Sequence, residues 1–160
     1  MTRLRPLLKD EIADYVPRLT MTYAAELTEH LFLNAEAAAA RATRSATDAF
    51  PAGEAGAGNW LFAVEDGEGT RVGILWLGEP FDGEPDSLWV YDIEIDPEHR
   101  GRGLGRDAMR LAEEEARRLG RQRIKLNVFA RNAVARALYL SLGFEEMSIQ
   151  MSKPVGEDQA

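Results

Sequence analysis

The 160-residue chain contains no cysteine, which excludes a disulfide framework, a thiol nucleophile and a cysteine-ligated metal centre. Histidine is almost as scarce. His30 and His99 stand alone, without the carboxylate or histidine spacing of a metal site, and they form no Ser-His-Asp set, so no metal is expected. Long apolar runs are also missing. No stretch approaches the roughly 20 residues that cross a bilayer, and the opening MTRLRPLLKDEIADY has no apolar core like that of a secretory signal. A reducing, cytoplasmic setting is the expectation, with no membrane partner.

What the chain does have is a divided charge. Residues 1–99 hold 7 Lys+Arg against 19 Asp+Glu, −12, while residues 100–160 hold 12 against 8, +4; the total is −8. The split is explained either by solubility alone or by a basic half for an anionic ligand and an acidic half for a cationic one. A nucleic-acid binder would be basic overall, so no nucleic acid is expected. The length suits one domain, expected to span 1–160, which buries about two-thirds of its unfolded surface without disulfide or metal.

Periodicity gives the element order. Residues 2–8 alternate weakly as a first strand. Ile12, Tyr15, Val16, Leu19, Tyr23 and Leu27 recur at helical spacing over 10–30. The alanine-rich stretch 34–49 reads as a second helix started by Asn34. Strands over 59–64 and 72–77 flank the turn sequence Asp66-Gly67-Glu68-Gly69 and form a hairpin. Residues 87–96 (SLWVYDIEID) make a strong strand. Leu104, Ala108, Leu111, Ala112, Ala116 and Leu119 stripe a helix over 104–119, ended by Gly120. A strand over 123–129, a short helix over 132–142 capped by Asn132, and a last strand over 144–153 follow. The expected class is α/β, a mixed sheet of about six to seven strands with about four helices.

Between the strand 87–96 and the helix 104–119 lies Arg100-Gly101-Arg102-Gly103-Leu104-Gly105-Arg106. Alternate glycines allow positive φ and let several N–H groups share one concavity, a cradle for an anion. The following helix adds its N-terminal partial charge, and three arginines add formal charge. A Walker loop would need Gly-Lys-Ser/Thr, and a Rossmann fingerprint would need glycine where Arg106 stands. A plain glycine turn with solvated arginines is the alternative.

This segment resembles the R-x-x-G-x-G signature of the GNAT (GCN5-related N-acetyltransferase) superfamily, with Arg100, Gly103 and Gly105 at its defining positions. Asn132-Ala133-Val134-Ala135-Arg136-Ala137-Leu138-Tyr139-Leu140-Ser141-Leu142-Gly143-Phe144 is similar to the superfamily's N-x-x-A-x-x-L-Y-x-x-x-G-F segment. Together they cover about residues 88–150. The resemblance implies a GNAT-like domain and an N-acetyltransferase that carries acetyl from acetyl-CoA directly to a primary amine. Pyrophosphate would lie on Arg100–Arg106 and the pantetheine arm along Ile93, Glu94 and Ile95, pairing with a splayed strand end. Asn132 would cap its helix and reach the arm. Tyr139, two helical turns on, would protonate the departing thiolate; its alternative is a core ring beside Phe144.

The amine must lose a proton, and Asp92 and Glu94 are the candidate bases. Both point to one face unless a bulge intervenes, and such bulges are usual in the superfamily. Either carboxylate would alternatively pair with a basic residue such as Arg123 or Lys125. Acetyltransferases of ribosomal-protein N-termini resemble residues 123–144 but carry glutamate in L-E-V where this chain has Leu126-Asn127-Val128. Asn127 cannot accept a proton in that way, so the base falls to Asp92, Glu94 or water. The acidic half suggests a cationic acceptor: a polyamine, an aminoglycoside, a lysine side chain or a peptide N-terminus. A non-catalytic acyl-CoA-binding module, another acyl donor, and a homodimer are the alternatives left open.

Overall fold

The computed structural model describes residues 1–156, which fall into two compact units, Met1–Phe129 and the remainder from Ala130. In the first, five strands form one sheet in the order β1-β2-β3-β4-β5: β1 (Arg3–Pro6), β2 (Asn59–Glu65), β3 (Arg71–Gly78), β4 (Ser87–Ile95) and β5 (Arg123–Leu126). The first four are antiparallel neighbours and β5 joins β4 in parallel. A parallel neighbour needs a crossover, and helix α3 (Leu104–Arg118) supplies it.

Helices α1 (Lys9–Leu31) and α2 (Ala35–Ala49) separate β1 from β2. The start of α1 is fixed by Glu11, whose carboxylate accepts the Leu8 N–H at 2.8 Å. Asn34 caps α2 by accepting the Ala37 N–H at 2.8 Å. Ile12 and Tyr15 of α1 and Phe50 after α2 bury against Leu61, Ala63, Ile74 and Trp76 on one face of the sheet. Leu75 and Leu77 alternate to the other face, where Leu104, Ala108, Met109, Ala112 and Ala116 of α3 are also buried. In the β2–β3 turn the Asp66 carboxylate accepts the N–H groups of Glu68 and Thr70, both at 3.0 Å, and Gly69 takes φ 83°.

One irregularity governs the site. Trp76 of β3 faces Asp92 of β4, yet the next residue, Leu77, faces Val90. Tyr91 is therefore an extra residue in β4. Leu88 and Val90 before it lie on the α3 face with Leu77. After it, Asp92 sits beside Trp76 and Glu94 beside Ile74, on the α1 face. Without the bulge the two carboxylates would continue the Leu88–Val90 row into the apolar α3 layer.

The second unit contains α4 (Ala133–Ser141), capped by the Asn132 side chain, which accepts the Ala135 N–H at 3.2 Å. Arg136 pairs with Glu146 and the rings of Tyr139 and Phe144 lie 5.7 Å apart.

Three expectations are corrected. The sheet has five strands among the described residues, against the expected six to seven. The strand expected over 123–129 stops at Leu126. Its ladder with β4 ends at the Val90–Leu126 pair, immediately before the bulge breaks the regular repeat of β4. The strand expected over 144–153 is absent there. Met147, Ile149 and Met151 keep the period-two pattern but are exposed, and a strand pattern becomes a strand only when a neighbour supplies its ladder.

Candidate active site

The segment between β4 and α3 begins with a short 3-10 turn, Pro97–His99. Gly101 and Gly103 then adopt φ 74° and 80°, and Gly103 is the N-terminal cap residue of α3. A Cβ built at either glycine would have no neighbour within 4 Å. Backbone conformation, rather than crowding, is thus what requires glycine here, and the space above the loop is open to a ligand. No side chain caps the helix, and its first-turn N–H groups have no intrahelical acceptor by construction. Arg100 donates from Nε to the Ile95 carbonyl at 2.8 Å, tying the loop to the end of β4, and Arg102 donates to Nδ1 of His99 at 3.1 Å. His99 is accordingly a loop-bracing residue.

β4 outruns its parallel partner. β5 covers it only from Ser87 to Val90, so Tyr91–Ile95 has a ladder on the β3 side alone. Ile93, Glu94 and Ile95 lie in that one-sided stretch, and the loop 100–106 follows directly. The cradle and the edge thus fit an elongated ligand with an anionic part and an amide-bearing arm, which is what acetyl-CoA offers.

Asp92 is half-buried, and its Oδ2 accepts the Tyr15 hydroxyl at 2.6 Å. Burial pushes the Asp92 carboxyl up to about 6; the Tyr15 hydroxyl and the Ile93 N–H pull the other way, and the charges of Glu94 and Glu26 add to the rise. Tyr15 is fully buried, and desolvation, with the Asp92 charge behind it, pushes its phenol well above its usual range. Glu94 pairs with Arg18 at 2.7 Å, and that guanidinium also lies 6.0 Å from the centre of the Tyr15 ring. Glu26, one helical turn from His30, is half-buried and pushed up, chiefly by burial. The pairing of a carboxylate with a basic residue is met for Glu94, by Arg18 rather than by Arg123 or Lys125; Lys125 holds Asp82 and Glu84 in the 79–86 loop instead.

An aromatic row flanks the bulge. Phe50 tilts against Trp76, Trp76 stacks on Tyr91 at 4.7 Å, Tyr91 neighbours Trp89, and Phe81 meets Trp89 edge-on. Tyr91 is fixed by donating its hydroxyl to the Glu79 carbonyl at 2.7 Å. His30 stacks on Phe129 at 4.3 Å.

The first unit therefore brings together Asp92, Ile93, Glu94, Ile95 and the loop Arg100, Gly101, Arg102, Gly103, Leu104, Gly105, Arg106. Asn132 and Tyr139 stand in the second unit on one helix, seven residues apart, with Tyr139 half-buried. The sequence reading missed Tyr15, Arg18 and Glu26 as partners of the carboxylates. Tyr15 belongs to the apolar stripe of α1, as its spacing predicts. The available signal was that a buried tyrosine hydroxyl needs an acceptor. Among the described residues no three His, Asp or Glu side chains cluster as a metal would require, and no helix is long and apolar enough to cross a membrane.

Residues 21–144 match the acetyltransferase (GNAT) family. YycN of Bacillus subtilis, described as an uncharacterized N-acetyltransferase, is 29% identical over 150 residues, covering 94% of this chain and 96% of its own. The crystal structure of YycN superposes with a TM-score of 0.89 over 98% of this chain and 100% of the other. The [ribosomal protein bS18]-alanine N-acetyltransferase of Escherichia coli is 38% identical over 65 residues, 41% of this chain and 44% of its own. AAC(6')-Iy in complex with a CoA bisubstrate analogue shares the fold at 14% identity and a TM-score of 0.61, covering 98% of this chain and 99% of its own.

Proposed function

The chain belongs to the acetyltransferase (GNAT) family, and from that premise we propose that it transfers acetyl from acetyl-CoA to a primary amine, with Asp92 as the base. The enzyme is an N-acetyltransferase, as its relatives are. The observation that carries the proposal is the bulge at Tyr91, which turns Asp92 onto the α1 face with its carboxyl held near 6. A base of that strength is largely ionised at pH 7 and still basic enough to take a proton, the compromise general base catalysis needs.

Acetyl-CoA supplies the activated thioester. The N–H groups of the loop 100–106 and the start of α3 bind its phosphates, with the loop arginines adding charge. The backbone of Ile93, Glu94 and Ile95 holds the amide-bearing arm, and the family resemblance assigns Asn132 to the same ligand. Asp92 removes a proton from the attacking amine, directly or through water. Glu94 is neutralised by Arg18, so the negative potential that favours a cationic acceptor comes from the surplus of acidic residues over 1–99. By the same resemblance Tyr139 gives its phenolic proton to the departing thiolate.

Acceptor classes consistent with this potential are polyamines, aminoglycosides, lysine side chains and peptide N-termini. The test is thiol release from acetyl-CoA across a panel of such amines. Turnover on at least one, with kcat lowered about 10-fold or more by Tyr139→Phe at unchanged KM for acetyl-CoA, supports the reading. CoA binding with no turnover on any amine refutes it.

A further inference from the structure

Tyr15 is fully buried in the cluster that includes Ile12, Phe50, Leu61, Ile74 and Trp76, yet it carries a hydroxyl into that apolar layer. A buried hydroxyl can be satisfied by any nearby carbonyl. This one reaches 77 residues away in sequence, from α1 to the residue immediately after the β4 bulge, and donates to Asp92 Oδ2 at 2.6 Å. That length is typical of an O–H group donating to an ionised carboxylate. Asp92 is also surrounded by opposing influences. Glu94 on its own strand and Glu26 on α1 repel its charge, Arg18 on α1 is committed to Glu94, and Trp76 opposite on β3 carries no charge.

We propose that Tyr15 is a positioning residue for catalysis: its hydroxyl pins Oδ2 of Asp92 and leaves Oδ1 as the oxygen that takes the proton from the acceptor amine. The inference rests on the reading of Asp92 as base. Tyr15 moves no proton itself; its phenol stays protonated and its ring stays packed while Asp92 is alternately carboxylate and carboxylic acid. The bond favours the carboxylate form, so it also sets the pH at which Asp92 becomes competent.

The experiment is the pH dependence of kcat/KM for Tyr15→Phe, which keeps the ring and removes only the hydroxyl. The acid limb is expected to move alkaline by about one pH unit, with kcat/KM at pH 6 down about 5-fold, most of the loss recovered by pH 8.5, and KM for acetyl-CoA within twofold of the parent. A loss that is uniform across pH, or an acid limb that does not move, overturns the inference. Asp92→Asn measured alongside separates the two readings. If Asp92→Asn abolishes the acid limb while Tyr15→Phe leaves it in place, only the role of Tyr15 fails. If Asp92→Asn keeps the limb, the base assignment fails first. Should Tyr15→Phe not fold, the unsubstituted enzyme labelled at the tyrosine Cζ carbons answers instead. The Tyr15 resonance is expected to titrate with the midpoint of the acid limb, and a flat response there refutes the proposal.

Discussion

Replacing Asp92 with asparagine conserves its shape and its ability to accept from the Tyr15 hydroxyl, and removes only the capacity to bind a proton. With the carboxyl near 6, kcat/KM of the parent enzyme is expected at about half its plateau at pH 6 and about one-tenth at pH 5. General base catalysis typically contributes about 10²- to 10⁴-fold, so Asp92→Asn is expected to lower the plateau by about that factor and to flatten the limb. The acceptor complicates the profile, because a protonated amine does not attack. A lysine-type amine, with a usual value of about 10.4, imposes its own rise at higher pH than a peptide α-amine at about 7.7–8.0. Initial rates of thiol release over pH 5–9 with two such acceptors separate the contributions. The amine limb moves with the acceptor, and the Asp92 limb near 6 does not. An Asp92→Asn enzyme within twofold of the parent at pH 7, or one that retains the acid limb near 6 with both acceptors, would refute the assignment.

Glu11 pairs with Arg5 and Arg71, and its carboxyl is held down to about 2, first by the Arg5 hydrogen bond, from an ordinary 4.5. At about 1.36 kcal/mol per pH unit that difference sets a ceiling of about 3.4 kcal/mol; screening through the partly open Arg5 brings the expected loss for Glu11→Gln to about 1–2 kcal/mol at pH 7. Because the folded value lies below the unfolded one, the contribution is full above about pH 5 and fades as pH falls from 4.5 toward 2, so parent and variant should converge in acid melts. Gly103→Ala forces a side-chain-bearing residue to φ 80° without any clash; calorimetry should show a loss of about 1–2 kcal/mol. Titration calorimetry should show weaker acetyl-CoA binding in the same variant. Gly73→Ala puts a Cβ into the Glu94 carbonyl oxygen and against Ile95 Cδ1, so β4 must shift. The expected result is a stability loss of about 1–3 kcal/mol together with a raised KM for acetyl-CoA.

The turn of the loop 100–106 was readable in the sequence because its signal is local: Gly101 and Gly103 are required by backbone conformation, and conformation is decided within a few residues. The helix starts at Asn34 and Asn132 were readable for the same reason. The facing of Asp92 and Glu94 was not, because a one-residue excess shows only in the pairing of β4 with β3. The partners of Asp92 were equally hidden. Tyr15 and Arg18 belong to a helix that precedes β4 by more than 50 residues, and a stripe of apolar spacing does not say which strand it will meet. The strand expected over 144–153 failed on the same ground: Met147, Ile149 and Met151 show a pattern, and a pattern does not name a ladder partner.

The extra residue at Tyr91 also bears on how this enzyme tolerates change in length. Most positions on a strand can be substituted without altering where their neighbours point. Between Trp89 and Asp92 the facing of the two carboxylates depends instead on whether the number of intervening residues is odd or even. Deleting Tyr91 would keep every side chain proposed for catalysis and send Asp92 and Glu94 toward α3, so an enzyme with a single-residue insertion or deletion in this interval should be silenced as completely as by Asp92→Asn, whereas paired changes should leave the facing intact.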